Sequence, residues 1–394
     1  MHSLAAFSES LGGWEREAGK EKPEIVVLIL RGILCIPCVL LTVMALGVFV
    51  LGSGETGKSG QNFGASYPVM DRYNTYATNV ISDALDGVLS IQKVYWLSDS
   101  DLVAPEPDQN CYGEATDPAG LSWLLEDAAA LLDGQDTLFN PDVQILPGSK
   151  VSYYLDETIL AVTWKQVMDN SVYTISEIKI AHPSQFRRFL AGGEYSSGAQ
   201  YMVSEMAASV NAVVAANGDF YGFRNQGIVV YDSQLMRMEG EKLDVCLLDR
   251  NGDLRFLYAG QMTEQAEVEA YLEENGVRFS LAFGPILIDN GVNQNVERPY
   301  PIGSGFKKNA RAALCQLDSL HYLLVAVSAE PPYAEGHELS VFSENLLEMG
   351  CTMAYNLDGG QSATIVMNDE VKNYVYERRI SDIIYFATAL PEGE

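Results

Sequence analysis

From about residue 150 the chain alternates short apolar runs with turn residues in a rhythm that predicts strands. The runs are "KVSYYLD", "TILAVTWKQV", "SVYTISEIKI", "AVVAANGDF", "GIVVYD", "LDVCLLD", "LRFLYAG", "SLAFGPILID", "AALCQLD", "HYLLVAVSA", "TMAYNLD", "SATIVMND" and "DIIYFATAL". Helical spacing is clearest in "TEQAEVEAYLEENG" and in "LSVFSENLLEMG", which ends at Gly350, a C-terminal capping residue. Two weaker stretches, "SQFRRFLAGG" and residues 199–209, also read as helices. Many strands with a few interspersed helices predict one α+β domain with a mixed β-sheet over 150–394. Residues 69–149 look different, with helical spacing in 69–94 and in "GLSWLLEDAAALLDG" and an acidic, turn-rich stretch between them. They predict a small helical region without chemistry of its own.

The N-terminal pattern predicts a membrane anchor. Residues 32–54 carry no charge, and the apolar character reaches back to 25 with only Arg31 interrupting. That length crosses a hydrocarbon core of roughly 30 Å as a helix. Arg16, Lys20, Lys22 and Arg31 precede or enter the run and the next basic residue is Lys58. The positive-inside rule therefore puts a leader, 1–24, in the cytoplasm and everything beyond the anchor, 25–54, outside the cell. A cleaved signal peptide is the rival reading, disfavoured by the long leader and weak cleavage-site chemistry. A Gly/Ser-rich linker, 55–68, follows.

Charge narrows the partners. A formal net charge of −28 argues against nucleic acid and against docking on anionic lipid through basic patches. An anionic substrate must then be held by a few placed arginines. Cys35 and Cys38 fall inside the apolar run, whereas Cys111, Cys246, Cys315 and Cys351 are spread widely with no metal-ligand spacing. These four are either disulfide-forming or buried thiols. No nucleophile elbow, phosphate-binding loop or zinc-protease motif is present. His182, His321 and His337 stand singly, and His2 lies in the leader.

Four stretches could carry chemistry. "VVAANGDFYG" ends a buried run in Asn217, Gly218 and Asp219, with Phe220 and Tyr221 as aromatic platforms of the kind that hold sugars. "CTMAYNLDGGQSATIV" repeats the arrangement with Asn356, Asp358, Gly359, Gly360 and Ser362. Either could be only a turn. Arg311 and the pair Arg378–Arg379 are basic islands suited to gripping phosphate. Gly284-Pro285 interrupts an apolar strand, as at an edge, a bulge or a close ligand approach.

Taken in order, these stretches with "GHELSVFSENLLEMG" and "VKNYVYERRISDIIYFA" resemble the phosphodiester glycosidase family. That family includes enzymes releasing N-acetylglucosamine from a phosphodiester, and bacterial exopolysaccharide-associated relatives. The resemblance implies a membrane-anchored, extracellular hydrolase acting on sugar-1-phosphodiesters in surface glycans. It carries functional roles onto Asn217, Gly218, Asp219, Gly284, Arg311, Asn356, Asp358, Gly359, Gly360, Ser362, Asn373 and Arg379. Gln361 stands where the family usually has a third glycine, and Ala312–Ala313 and Cys315 depart from its pattern after the arginine. Because the leaving group is a phosphate monoester with a pKa of about 6, charge stabilisation matters more than a strong general acid. The expectation is Arg311 with Arg378 or Arg379 at the phosphate and asparagines on the sugar. Asp358, or second Asp219, is the carboxylate acting at C1. No cofactor is expected, although a divalent cation such as Ca²⁺ or Mg²⁺ fits a competing reading. In it, Asp219 and Asp358 ligate the metal of a phosphodiesterase. A non-catalytic glycan-binding protein on the same fold is the other alternative.

Overall fold

The computed structural model describes residues 96–98, 101–302, 305–333 and 335–390. The expected leader, anchor and linker, the helical stretch expected at 69–94, and Cys35 and Cys38 lie outside the described residues. Among the described residues no helix is long and apolar enough to cross a membrane.

The described chain is mixed α+β and mostly sheet. It opens with β1 (Tyr112–Ala115), a 3-10 turn (Pro118–Leu121) and two short helices, α1 (Ser122–Asp127) and α2 (Ala129–Leu132). Then come β2 (Val151–Leu155), β3 (Ile159–Met168), β4 (Ser171–Ile180), β5 (Phe186–Leu190), α3 (Val203–Ser209) and β6 (Val214–Asn217). The middle of the chain gives β7 (Val229–Tyr231), β8 (Gln234–Arg237), β9 (Val245–Leu248), β10 (Leu254–Leu257), α4 (Gln265–Asn275), β11 (Phe279–Leu281), β12 (Ile286–Asp289) and β13 (Val292–Asn293). Last are β14 (Arg311–Asp318), β15 (His321–Ser328), α5 (Leu339–Glu348), β16 (Met353–Leu357), β17 (Ile365–Met367), β18 (Glu370–Val371) and β19 (Asp382–Phe386).

Two sheets matter for the site. The larger has nine strands in the order β1-β2-β3-β4-β15-β14-β16-β12-β13, and the smaller five in the order β18-β17-β6-β19-β5. Strand β15 shows why its sequence reads as an unbroken apolar run. Tyr322, Leu324 and Ala326 enter one core cluster, with Val214, Ile365 and Phe386 of the smaller sheet. Leu323, Val325 and Val327 enter another, with Leu124 of α1 and Phe342 and Leu346 of α5. With a side-chain period of two, a strand covered on both faces must be apolar at every position.

Three departures from the sequence pattern have physical causes. "SQFRRFLAGG", expected as a helix, is β5, paired antiparallel with β19. Its two arginines hid the strand pattern, because both are buried and bonded. The helix expected over 120–134 breaks into α1 and α2, ending where Asp133 adopts a left-handed backbone (φ 49°). Residues 112–115, expected in the helical region, form β1 and pair with β2, so the nine-stranded sheet runs across position 150. Cys111, Cys246, Cys315 and Cys351 are free thiols.

Candidate active site

Register builds the site. In the large sheet Leu357 pairs with Ala312 and Asn356 with Ala313. This brings Asp358, just past the end of β16, beside Arg311 at the start of β14. The two glycines that follow let the chain pass close to its neighbour. A Cβ on Gly359 would lie 2.5 Å from the Ala310 carbonyl oxygen. The Gly360 amide donates to the same oxygen (3.0 Å), with φ at +62°. In the small sheet β6 ends at Asn217, whose side-chain amide donates to the Asp358 carbonyl (2.9 Å) and accepts from the Thr364 amide (3.2 Å). Asn217 thus ties the end of one sheet to the functional loop of the other.

Between the sheets lies a cleft of about 310 Å³ whose walls include Asp358, Asn356, Arg311, Arg378, Phe220 and Arg224. Asp358, its side chain 14% exposed, pairs with Arg378 Nη2 at 2.5 Å. Arg378 Nε donates to Ser362 Oγ, also at 2.5 Å, so Ser362 orients the arginine. Arg311 is fixed by the carbonyls of His337 (2.9 Å) and Lys307 (2.7 Å), and burial lowers its pKa. Asn356 donates to the Gly284 carbonyl (2.7 Å), and its buried Oδ1 has no partner among the described residues. Gly284 has φ +73°, and a Cβ there would lie 2.3 Å from the Tyr300 hydroxyl. Gly359, Gly360 and Gln361 complete the rim.

Phe220 is held in the left-handed region (φ 68°), a strained backbone for an aromatic residue. Its ring stacks on Phe223 (centroids 4.2 Å) and is flanked by the guanidinium carbons of Arg224 (4.9 Å) and Arg378 (5.1 Å). Arg224 also lies over Phe283 at 4.8 Å, and burial lowers its pKa. Sequence reasoning passed over Arg224. The available signal was a lone basic residue five positions after Asp219, within an aromatic loop of a strongly acidic chain.

Other expected residues lie outside the cleft. Asp219 is the main correction. Its side chain is fully buried, and it accepts from Arg188 (2.8 Å), the Tyr221 amide (2.9 Å) and the Ala282 amide (2.5 Å). Those bonds commit both oxygens to the fold, so Asp219 faces neither a sugar nor a cation shared with Asp358. Arg188 also bonds Asp382 (2.8 Å), making a buried triad of one cation and two carboxylates. Gly218 is required by that triad, because a Cβ there would lie 1.8 Å from Asp382 Oδ2. Tyr221 lines a neighbouring pocket. Asn373 is buried and brackets a turn, accepting from the Ile365 amide and donating to the Ala363 carbonyl (both 2.8 Å). Arg379 is exposed and absent from the cleft walls, so Arg378 takes the place expected of it.

The triad has a pH signature. Burial pushes Asp382 up to about 6, Asp219 pushes the same way, and Arg188 opposes them. An unfolded aspartate titrates near about 3.9. Between these values the folded state binds more protons than the unfolded one, so this group's contribution to stability falls as pH rises from about 4 to about 6. Denaturant midpoints of the wild type, taken relative to Asp382→Asn, should therefore decline across that window. A flat difference would exclude the assignment.

The family model for phosphodiester glycosidase matches residues 210–387, a range holding every cleft residue named above. No curated protein matches the chain. Among solved structures, the catalytic domain of zebrafish N-acetylglucosamine-1-phosphodiester alpha-N-acetylglucosaminidase, auto-inhibited by its pro-peptide, is similar at 17% identity and TM-score 0.48. That match covers 66% of this chain and 92% of that one. A hypothetical protein from Synechocystis is similar at 15% identity and TM-score 0.43, covering 61% of this chain and 64% of that one. Residues 210–387 thus carry the chain's match to the phosphodiester glycosidase family.

Proposed function

We propose that the chain is a glycosidase that hydrolyses a sugar-1-phosphodiester, releasing free sugar and a phosphate monoester. It would be held at the cell membrane by residues 25–54, with the domain outside and surface glycans or exopolysaccharide as substrate. The observation that carries this reading is the gathering of Asp358 with Arg224, Arg311 and Arg378 in one cleft. Among the described residues lining that cleft, Asp358 is the one carboxylate. An ordinary glycosidase needs two carboxyl groups, one protonating an alkoxide as it leaves. A departing phosphate needs little protonation and much charge stabilisation, which guanidinium groups supply where water is scarce. Asp358 then acts at C1, as nucleophile or as base for water. Asn356, which lines the same cleft, is the asparagine placed nearest the sugar's side of the site.

The test uses the full chain in detergent with an N-acetylglucosamine-1-phosphodiester, with and without chelator. Free sugar plus phosphate monoester, insensitive to chelation, is the expected result. Sugar phosphate plus alcohol would mean a phosphodiesterase. Saturable binding without turnover would mean a glycan-binding protein, with Gln361 on the cleft rim as the first residue to suspect.

A further inference from the structure

A sugar held for reaction at C1 needs an apolar surface under the C–H face of its ring as well as partners for its hydroxyls. The sequence points to Phe220 and Tyr221 for this, but Tyr221 lines another pocket and little of the Phe220 ring is free. Phe223 stacks on Phe220 at 4.2 Å, and the guanidinium carbons of Arg224 and Arg378 lie 4.9 and 5.1 Å from its centroid. Phe283 is buried and lies under Arg224. Among the described residues lining the cleft, Tyr300 is the remaining aromatic one. Its hydroxyl accepts from the Asp244 amide (2.8 Å) and donates to the Phe283 carbonyl (3.0 Å). The Arg298 guanidinium carbon lies over its ring, 5.2 Å from the centroid, and Arg298 is itself paired with the buried Asp244 carboxylate. Among the described residues Arg298 is the one ring or cation over Tyr300. Gly284 has both candidate sugar contacts as neighbours. Its carbonyl accepts from Asn356, and its missing side chain makes room for the Tyr300 hydroxyl. Tethered at the hydroxyl and covered on one face, the half-buried ring has its other face left for the cleft that it lines.

We infer that Tyr300 is the platform on which the sugar ring of the substrate stacks, and so a specificity-determining residue for a hexopyranose-1-phosphodiester. The inference rests on the proposed reading of the Asp358 cleft. The arginines hold the phosphate whatever it carries, and Tyr300 adds the preference for a ring with an apolar face. The two hydrogen bonds at its hydroxyl and the Arg298 contact hold the platform still before substrate arrives, so little ordering is left to do on binding.

The experiment measures binding to the full chain in detergent by phosphorus NMR titration with two probes of equal charge. One is an uncleavable N-acetylglucosamine-1-phosphonate methyl ester, and the other, dimethyl phosphate, has no ring. Tyr300→Leu should weaken the phosphonate by about three- to tenfold, the range of an aromatic stacking contact. It should leave dimethyl phosphate within about twofold of wild type, because the arginines are untouched. Tyr300→Phe keeps the ring and loses the tether, so it should recover most of the phosphonate binding that Tyr300→Leu loses. Equal weakening of both probes in Tyr300→Leu, or no weakening of the phosphonate, overturns the platform. So does a Tyr300→Phe that binds the phosphonate no better than Tyr300→Leu, since the residue would then only brace the wall. Each of these leaves the glycosidase reading standing. Ring-dependent binding of the phosphonate without cleavage of the matching phosphodiester overturns that reading and keeps the platform. Failure of the wild type to bind the phosphonate at all overturns both.

Discussion

Asp358→Asn should lower kcat on the order of 10³-fold or more while leaving the melting temperature near that of the wild type. That size is characteristic of a lost base or nucleophile rather than a lost binding contact. The residue sits at the end of β16 with its side chain part-exposed, so the amide replacement is isosteric and needs no repacking. The carboxylate's measurable partner is Arg378, at 2.5 Å. Losing that exposed-side ion pair costs little stability, so a fall in activity cannot be attributed to unfolding. Comparison with Arg378→Gln is informative. If Asp358 only held Arg378 in place, Asp358→Asn would lose no more kcat than Arg378→Gln, whose guanidinium stabilises the departing phosphate. If it acts at C1, Asp358→Asn carries the larger loss. Turnover within about fivefold of the wild type would remove Asp358 from the chemistry.

Arg188→Met should destabilise the fold severely, by about 3–5 kcal/mol. Arg188 and Asp219 are 0% exposed at their side chains and Asp382 1%, and the arginine bridges both carboxylates at 2.8 Å. Removing it leaves two buried carboxylates facing each other, which must either take up protons or open the strands to water. Urea denaturation at pH 7 measures the loss, and repeating it at pH 5 adds a directional check. Part of the deficit should recover at the lower pH, because protonation relieves the repulsion. An equal deficit at both values would mean that the arginine stabilises mainly through packing.

The outcome at Asp219 and Asp358 shows how far the chain could be read. Both follow an apolar strand ending in Asn, and both precede glycine or aromatic residues, so local pattern makes them equivalent. What separates them is a partner far away in sequence. Arg188 lies on β5, in a stretch that reads as a helix, and only the β5–β19 pairing brings it to Asp219. Strand identities were legible because apolar runs covered on both faces leave an unbroken signal, as in β15. Arg378 and Arg379 were indistinguishable for a related reason. Adjacent residues point in different directions, and which one reaches Asp358 depends on a turn that no pattern in "YERRIS" specifies. Arg224 was missed because its role depends on aromatic faces supplied by Phe220 and Phe283, the second 59 residues further on.

The cleft draws its walls from two different sheets. Asp358, Asn356 and Arg311 belong to the ends of β16 and β14, whereas Phe220 and Arg378 hang from the strands of the smaller sheet. The Arg378–Asp358 pair and the Asn217 amide are the polar fasteners across the gap. A phosphate gripped by Arg311 on one side and Arg378 on the other would act as a third fastener there, adding to the shared apolar core and to polar links elsewhere between the layers such as Lys372–Glu114. Binding should then stiffen the seam itself, so an inert sugar-phosphate analogue ought to slow amide exchange along β6 and β16 together, as one cooperative unit.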